Sequence, residues 1–272
     1  MACPAPVFVA VMLLLHCTGM GSVRVGVRKK SESLPLPIWQ ELLIGVEMVC
    51  LKVSPAYWGL GIPHGDGSAV IVIPGFLLTD LYLAEFRAWL SRIGYRTYYS
   101  GIGLNAECPN LLIRNRLNET IDKACRATGK KIHLIGHSLG GVLARAVASQ
   151  MPDRIASVTT IGSPFRGVTL HPSVLRAAEL VRLQILSQHG DNVLPACYTG
   201  ACTCDFLESL TRRLPKSVHQ TAIYTKSDGI VDWHVCKTGK ADVDFEVSGT
   251  HIGLVFNPIV YDLVARRLAL TH

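Results

Sequence analysis

The stretch that decides the fold reads Lys130-Lys131-Ile132-His133-Leu134-Ile135, then Gly136-His137-Ser138-Leu139-Gly140-Gly141. A short apolar run of strand length ends in Gly-x-Ser-x-Gly, and residues 142–150 continue with the apolar spacing of a helix. Strand, sharp turn and helix in that order describe a nucleophile elbow, which lifts a serine hydroxyl out of the end of a sheet. The glycines beside Ser138 let strand and helix approach where a side chain would collide. Gly-x-Ser-x-Gly alone is a weak string, and a plain structural turn would match it. The strand before it and the helix after it make it specific.

The same alternation extends outward. Residues 68–73 are a β-branched run, as expected of a strand buried on both faces, and Pro74-Gly75-Phe76 breaks it. A helix over 81–93 closes at Gly94, and a strand follows over 95–99. The next helix, 109–127, has Pro109 in its first turn and Gly129 beyond its end. The strand 155–161 ends at Gly162-Ser163-Pro164. Upstream, 38–51 has helical apolar spacing and 55–66 reads as a loop. Strands alternating with helices predict an α/β fold with a parallel sheet and right-handed crossovers. The rhythm then fails between about 165 and 217, where a helix over 171–188 precedes a cysteine cluster. An insertion of that size inside an α/β domain reads as a cap or lid. Strands at 220–225 and 243–247 and a helix at 258–270 resume the pattern. Residues 31–272 are therefore expected to form one domain.

A serine hydroxyl attacks well only when a base takes its proton and an acid holds that base in one tautomer. In sheets of this kind the order is Ser, acid, His. Asp228, in Ser227-Asp228-Gly229-Ile230-Val231, sits just past a strand and is the candidate acid. Asp232 is its competitor, although two apolar residues precede it. His251, in the loop between the last strand and the last helix, is the candidate base. His133 lies inside a strand, His137 is the variable residue of the elbow, and His219 and His234 flank the acid loop. The oxyanion needs fixed donors, expected from the backbone N–H groups of Leu139 and Phe76.

These residues resemble the α/β-hydrolase family, in its bacterial lipase and esterase branch. The resemblance is carried by Val70-Ile-Val-Ile-Pro-Gly-Phe76, the elbow, Thr160-Ile-Gly-Ser-Pro-Phe165, Ile223-Tyr-Thr-Lys-Ser-Asp-Gly-Ile-Val231 and Gly249-Thr250-His251. It runs from about Pro37 to the C-terminus. Pro74 departs from the pattern, standing where many lipases have histidine. The resemblance implies an eight-stranded, mostly parallel sheet covered by helices. It also implies a serine carboxylic ester hydrolase acting on lipid or other acyl esters, with no cofactor and no metal. A cell-envelope acyltransferase or a thioesterase would keep the same three residues, and a catalytically silent binding protein would keep only the scaffold.

Composition sets the remaining bounds. The 272 residues are 49% hydrophobic and 17% charged, which suits a sizeable core and excludes a disordered or fibrous chain. The net charge of +7 is scattered apart from Arg24, Arg28, Lys29 and Lys30. No nucleic-acid motif accompanies it, so a solvated basic surface is the reading, with attraction to an anionic lipid surface as the alternative. Residues 7–15 have the length of a signal-peptide apolar core but lack a preceding Lys or Arg. The first 30 residues are read as a leader or N-terminal anchor and the protein as secreted or envelope-associated, the alternative being cytoplasmic. Nine cysteines fit export, with one or two disulfides among Cys197, Cys202, Cys204 and Cys236. Free thiols are the rival, and the spacing is a poor match to structural zinc.

Overall fold

A computed structural model describes residues 32–34, 36–189 and 204–271. The proposed leader, Cys197 and Cys202 lie outside the described residues.

In chain order the elements are β1 (Glu32–Ser33), a 3-10 segment (Ile38–Leu43) running into α1 (Ile44–Val53), β2 (Ala69–Ile73), α2 (Ala84–Arg92) and β3 (Arg96–Tyr99). A helical turn at Pro109–Leu112 passes through a π-helical segment (Ile113–Leu117) into α3 (Asn118–Thr128). Next come β4 (Ile132–His137), α4 (Leu139–Gln150), β5 (Ile155–Ile161), β6 (Thr169–Leu170) and α5 (Pro172–His189). The described chain ends with α6 (Asp205–Thr211), β7 (His219–Tyr224), β8 (Asp244–Glu246) and α7 (Pro258–Ala269).

The main sheet has the order β3-β2-β4-β5-β7-β8, and every neighbouring pair is parallel. Six strands are described here, where the resemblance implied eight. The small β1 pairs with β6, a two-residue, partly buried strand inside the region where the alternating rhythm fails. The 109–127 helix is likewise one path with a π segment in its middle rather than a uniform α-helix.

The buried strands feed two cores, because successive side chains leave opposite faces. Ala69, Ile71 and Ile73 of β2 join Leu117, Leu134 and Leu143 on one side. Val70 and Val72 join Phe86, Trp89 and Tyr261 on the other. Burying each such side chain stabilises by about 1.5–3 kcal/mol. Trp89 and Tyr261 pack ring to ring at a 46° tilt with centroids 4.3 Å apart, and the indole N–H is satisfied by the Ala56 carbonyl at 2.9 Å. The sheet thus holds the carboxyl ends of β2, β4, β5 and β7 as a rigid rim. The chain leaves β2 for β3 on one side and returns to β4 on the other, so a topological switch point lies at that rim.

The segment from Ile38 to Val53 is apolar on both faces: Leu51, Ile44 and Met48 pack inward on the core. Trp39, Leu42, Val46, Val49 and Val53, spaced by alternate threes and fours, are 61–75% exposed. Glu41 faces inward and is only 7% exposed, and Glu47 reaches the Thr250 amide. Helical apolar spacing was legible here, and two carboxylates share the inner face with these apolar residues.

Candidate active site

The elbow is tightly built. Ser138 closes β4 and caps α4 with φ 54° and ψ −126°, one of two non-glycine residues with positive φ among those described. Such a backbone persists only where its surroundings enforce it. The Ser138 N–H donates to the Ile161 carbonyl at 2.8 Å, tying the turn to the end of β5. A Cβ at Gly136 would collide with the backbone of Gly140 and Gly141, and one at Gly140 would collide with the Ile73 carbonyl. The glycines are therefore required by close approach of strand, helix and the end of β2.

The loop after β2 leans on Ser138. A Cβ on Gly75 would stand 3.0 Å from Ser138 Cβ. Leu77, the other residue with positive φ, donates its N–H to the Asn105 carbonyl at 2.9 Å, and the Asn105 amide donates to the Pro74 carbonyl at 2.9 Å. Phe76 sits between these braces, half-buried against Val181 and Ile185 of α5. Leu139 opens α4, where first-turn N–H groups have no acceptor within the helix. The two sequence-derived oxyanion donors therefore flank the serine from separate elements.

Asp228 and His251 meet in a buried pair. His251 Nδ1 donates to Asp228 Oδ2 at 2.7 Å, which leaves Nε2 as the free base nitrogen. Asp228 Oδ1 accepts the N–H groups of Ile230 at 2.9 Å and Val231 at 2.7 Å. Burial alone would push the His251 pKa down, but Asp228 and the Glu41 charge outweigh it and raise it. Asp232 is placed elsewhere, with Oδ1 accepting from His234 Nδ1 at 2.7 Å.

His251 is also brought to the elbow. Its ring lies over Gly162, where a Cβ would stand 3.1 Å from Nδ1. Its carbonyl accepts a hydrogen bond from His137 Nε2 at 3.0 Å, and the two rings are 4.8 Å apart. His137 is therefore neutral with its proton on Nε2. Burial, then the neighbouring His251 charge, lowers its pKa to about 3. The variable residue of the elbow thus ties the His251 loop to β4, which the sequence pattern did not reveal. Among the described hydrogen bonds none joins Ser138 Oγ to His251; such bonds often tighten only when substrate binds.

The insertion roofs these loops. Val181 and Ile185 of α5 pack on Phe76 and Leu77, while Val174 packs with Ile230, Val231 and Ile252. Cys204 caps α6. Cys236 corrects the disulfide expectation: it is a buried free thiol directed at the Asp232 carbonyl, and burial, then the Asp228 charge, pushes its pKa well up. Among the described residues no cluster of three or more His, Cys, Asp or Glu is arranged to hold a metal ion.

The model of the α/β hydrolase fold family matches residues 112–215, a span that includes Ser138 and stops short of Asp228 and His251. The doubly wound parallel sheet and its elbow give the chain the α/β hydrolase fold. Bacterial triacylglycerol lipases are among its sequence relatives. A triacylglycerol lipase of Burkholderia plantarii is 31% identical over 133 residues, covering 46% of this chain and 37% of that protein. One of Pseudarthrobacter phenanthrenivorans is 52% identical over 106 residues, covering 36% and 33%. The chain thus matches well under half the length of these relatives. A soluble variant of the Saccharomyces cerevisiae monoglyceride lipase shares the fold, with TM-score 0.51 and 17% identity over 77% of this chain and 90% of that one.

Proposed function

We propose that the protein is a serine carboxylic ester hydrolase that cleaves acyl esters through an acyl-enzyme. The observation that carries this reading is the buried Asp228–His251 pair tied by His137 to the strained Ser138 elbow. Ser138 Oγ attacks the ester carbonyl carbon while its proton passes to His251 Nε2. The new oxyanion is held by the N–H groups of Leu139 and Phe76. Collapse breaks the carbon–oxygen bond, and the alcohol leaves with the proton from His251. Water then attacks the acyl-enzyme and gives a proton to His251; collapse breaks the bond from the acyl carbon to Ser138 Oγ, which takes that proton back from His251 as the acid is released. Asp228 stabilises the imidazolium formed in each half.

The apolar roof of Phe76, Leu77, Val181 and Ile185 favours a hydrophobic acyl group, as does the likeness to triacylglycerol lipases. Hydrolysis of p-nitrophenyl esters from short to long acyl chains tests this. Serine-dependent activity that rises with chain length supports it. Activity confined to the shortest chains rules out the acyl pocket.

A lipid surface is the occupant that this substrate class offers the exposed row from Trp39 to Val53, with the chain's charge of +7 adding attraction to anionic headgroups. Replacing Val46 and Val49 together by glutamate should weaken flotation with phosphatidylglycerol-containing vesicles at least tenfold. Hydrolysis of a short soluble ester should be unchanged. Flotation equal to wild type would remove this surface from the account.

A further inference from the structure

We propose that Glu41 is a positioning residue that clamps the acid loop and the base loop together from the inner face of the N-terminal helical segment. The proposal rests on the hydrolase reading above and adds a residue that lies outside its Ser-Asp-His set.

One carboxylate spans both loops. Glu41 Oε1 accepts the N–H of Gly229, next to the acid, at 3.0 Å and the N–H of His251 itself at 3.0 Å. Glu41 Oε2 accepts the N–H of Ile252 at 2.8 Å. All three partners are donors, which suits an ionised Glu41 carboxylate; burial, and then the Asp228 charge, leave its pKa raised even though the His251 charge and the Ile252 and His251 N–H groups pull it down. Hydrogen bonds to a charged acceptor are roughly twice as strong as neutral ones. A buried charge is tolerated only when so satisfied.

The loops are shaped around this carboxylate. A Cβ on Gly229 would stand 2.8 Å from the Pro37 carbonyl and 3.0 Å from Glu41 Oε1. Glu47, two turns along, repeats the device: its Oε1 accepts the Thr250 N–H at 2.7 Å and its Oε2 the Thr250 hydroxyl at 2.8 Å. A Cβ on Gly253 would overlap the Glu47 carboxylate. The backbone of residues 250–252 thus hangs on two glutamates from the other end of the chain.

The consequence is both geometric and electrostatic. Glu41 fixes the His251 backbone that sets where Nε2 points. Its charge also adds to that of Asp228 in favouring the imidazolium. The other titratable groups around the pair are His137 from β4, Tyr82, whose hydroxyl donates to the Ile252 carbonyl, Glu47 from α1, and Cys236 beside Asp228. His137 and the Tyr82 phenol are neutral, so Asp228 and Glu41 dominate the field at His251.

The test is the pH profile of kcat/KM on a short soluble ester for wild type, Glu41→Gln and Glu41→Asp. Activity requires neutral His251, so it falls as pH drops through the raised pKa. The wild-type acid limb should therefore lie above 6.5, the ordinary value of a histidine. Glu41→Gln should lower kcat by about tenfold to a hundredfold, with KM little changed, as a misplaced base does. Its acid limb should move to lower pH. Glu41→Asp should keep the limb near wild type while kcat falls. Loss of folded protein in Glu41→Gln with an unshifted limb in what remains, or a wild-type limb at or below 6.5, would overturn the proposal. Amide hydrogen exchange at His251 and Ile252 reads the clamp without turnover: faster exchange in the Glu41→Gln variant is expected even if the hydrolase reading fails, and unchanged exchange would sink the clamp.

Discussion

Ser138→Ala removes hydrolysis, with kcat falling by about 10⁴- to 10⁶-fold, the scale seen when a triad nucleophile is lost. The elbow itself survives, because its glycine contacts and the Ser138 N–H to the Ile161 carbonyl involve only backbone. Melting temperature should therefore stay close to wild type while turnover disappears. That split separates a chemical role from a structural one. Turnover that persists in a folded Ser138→Ala protein would assign the chemistry to another residue.

The second large effect concerns the two competing carboxylates. Asp228→Asn should lower kcat by about 10⁴-fold, because an amide in that place favours the wrong imidazole tautomer. The geometry gives the mechanism. Asp228 Oδ2 is the acceptor for His251 Nδ1, and Oδ1 is already held by the Ile230 and Val231 amides. An asparagine that keeps its oxygen on those amides turns its NH₂ toward His251 Nδ1. The proton is then forced onto Nε2, where a base is needed. Asp232→Asn should leave turnover close to wild type, because Asp232 serves the exposed His234. Steady-state kinetics of the two variants on one ester decides the matter, and the reverse ranking would move the acid to Asp232.

The elbow, the acid loop and the base loop were legible in the sequence for one reason. Each is a strand that ends abruptly at punctuation residues: Gly136 and Gly140–Gly141, Ser227–Gly229, and Ser248–Gly249. Local chemistry of that kind is written in consecutive residues. The clamp is not. Glu41 meets its partners across 188 to 211 positions, so no spacing rule announces it. Helical apolar spacing over 38–51 announced a helix with an apolar inner face, which Ile44, Met48 and Leu51 supply, but not the two carboxylates that share that face and meet the loop amides. The role of His137 was hidden for a related reason. The variable position of the elbow carries no expectation, and only the fold brings its ring against the His251 carbonyl. The disulfide expectation for Cys236 came from the cysteine count and its fit to an exported protein; the chain instead buries that thiol against the Asp232 carbonyl.

The central claim is that Ser138 is a nucleophile activated by His251. Its most direct test is labelling of the full-length protein with a fluorophosphonate, followed by peptide mass spectrometry, in wild type and His251→Ala. The account predicts a single stoichiometric phosphonate adduct on Ser138 in wild type and labelling slowed by orders of magnitude in His251→Ala. No adduct on Ser138, or equally fast labelling without His251, would contradict it.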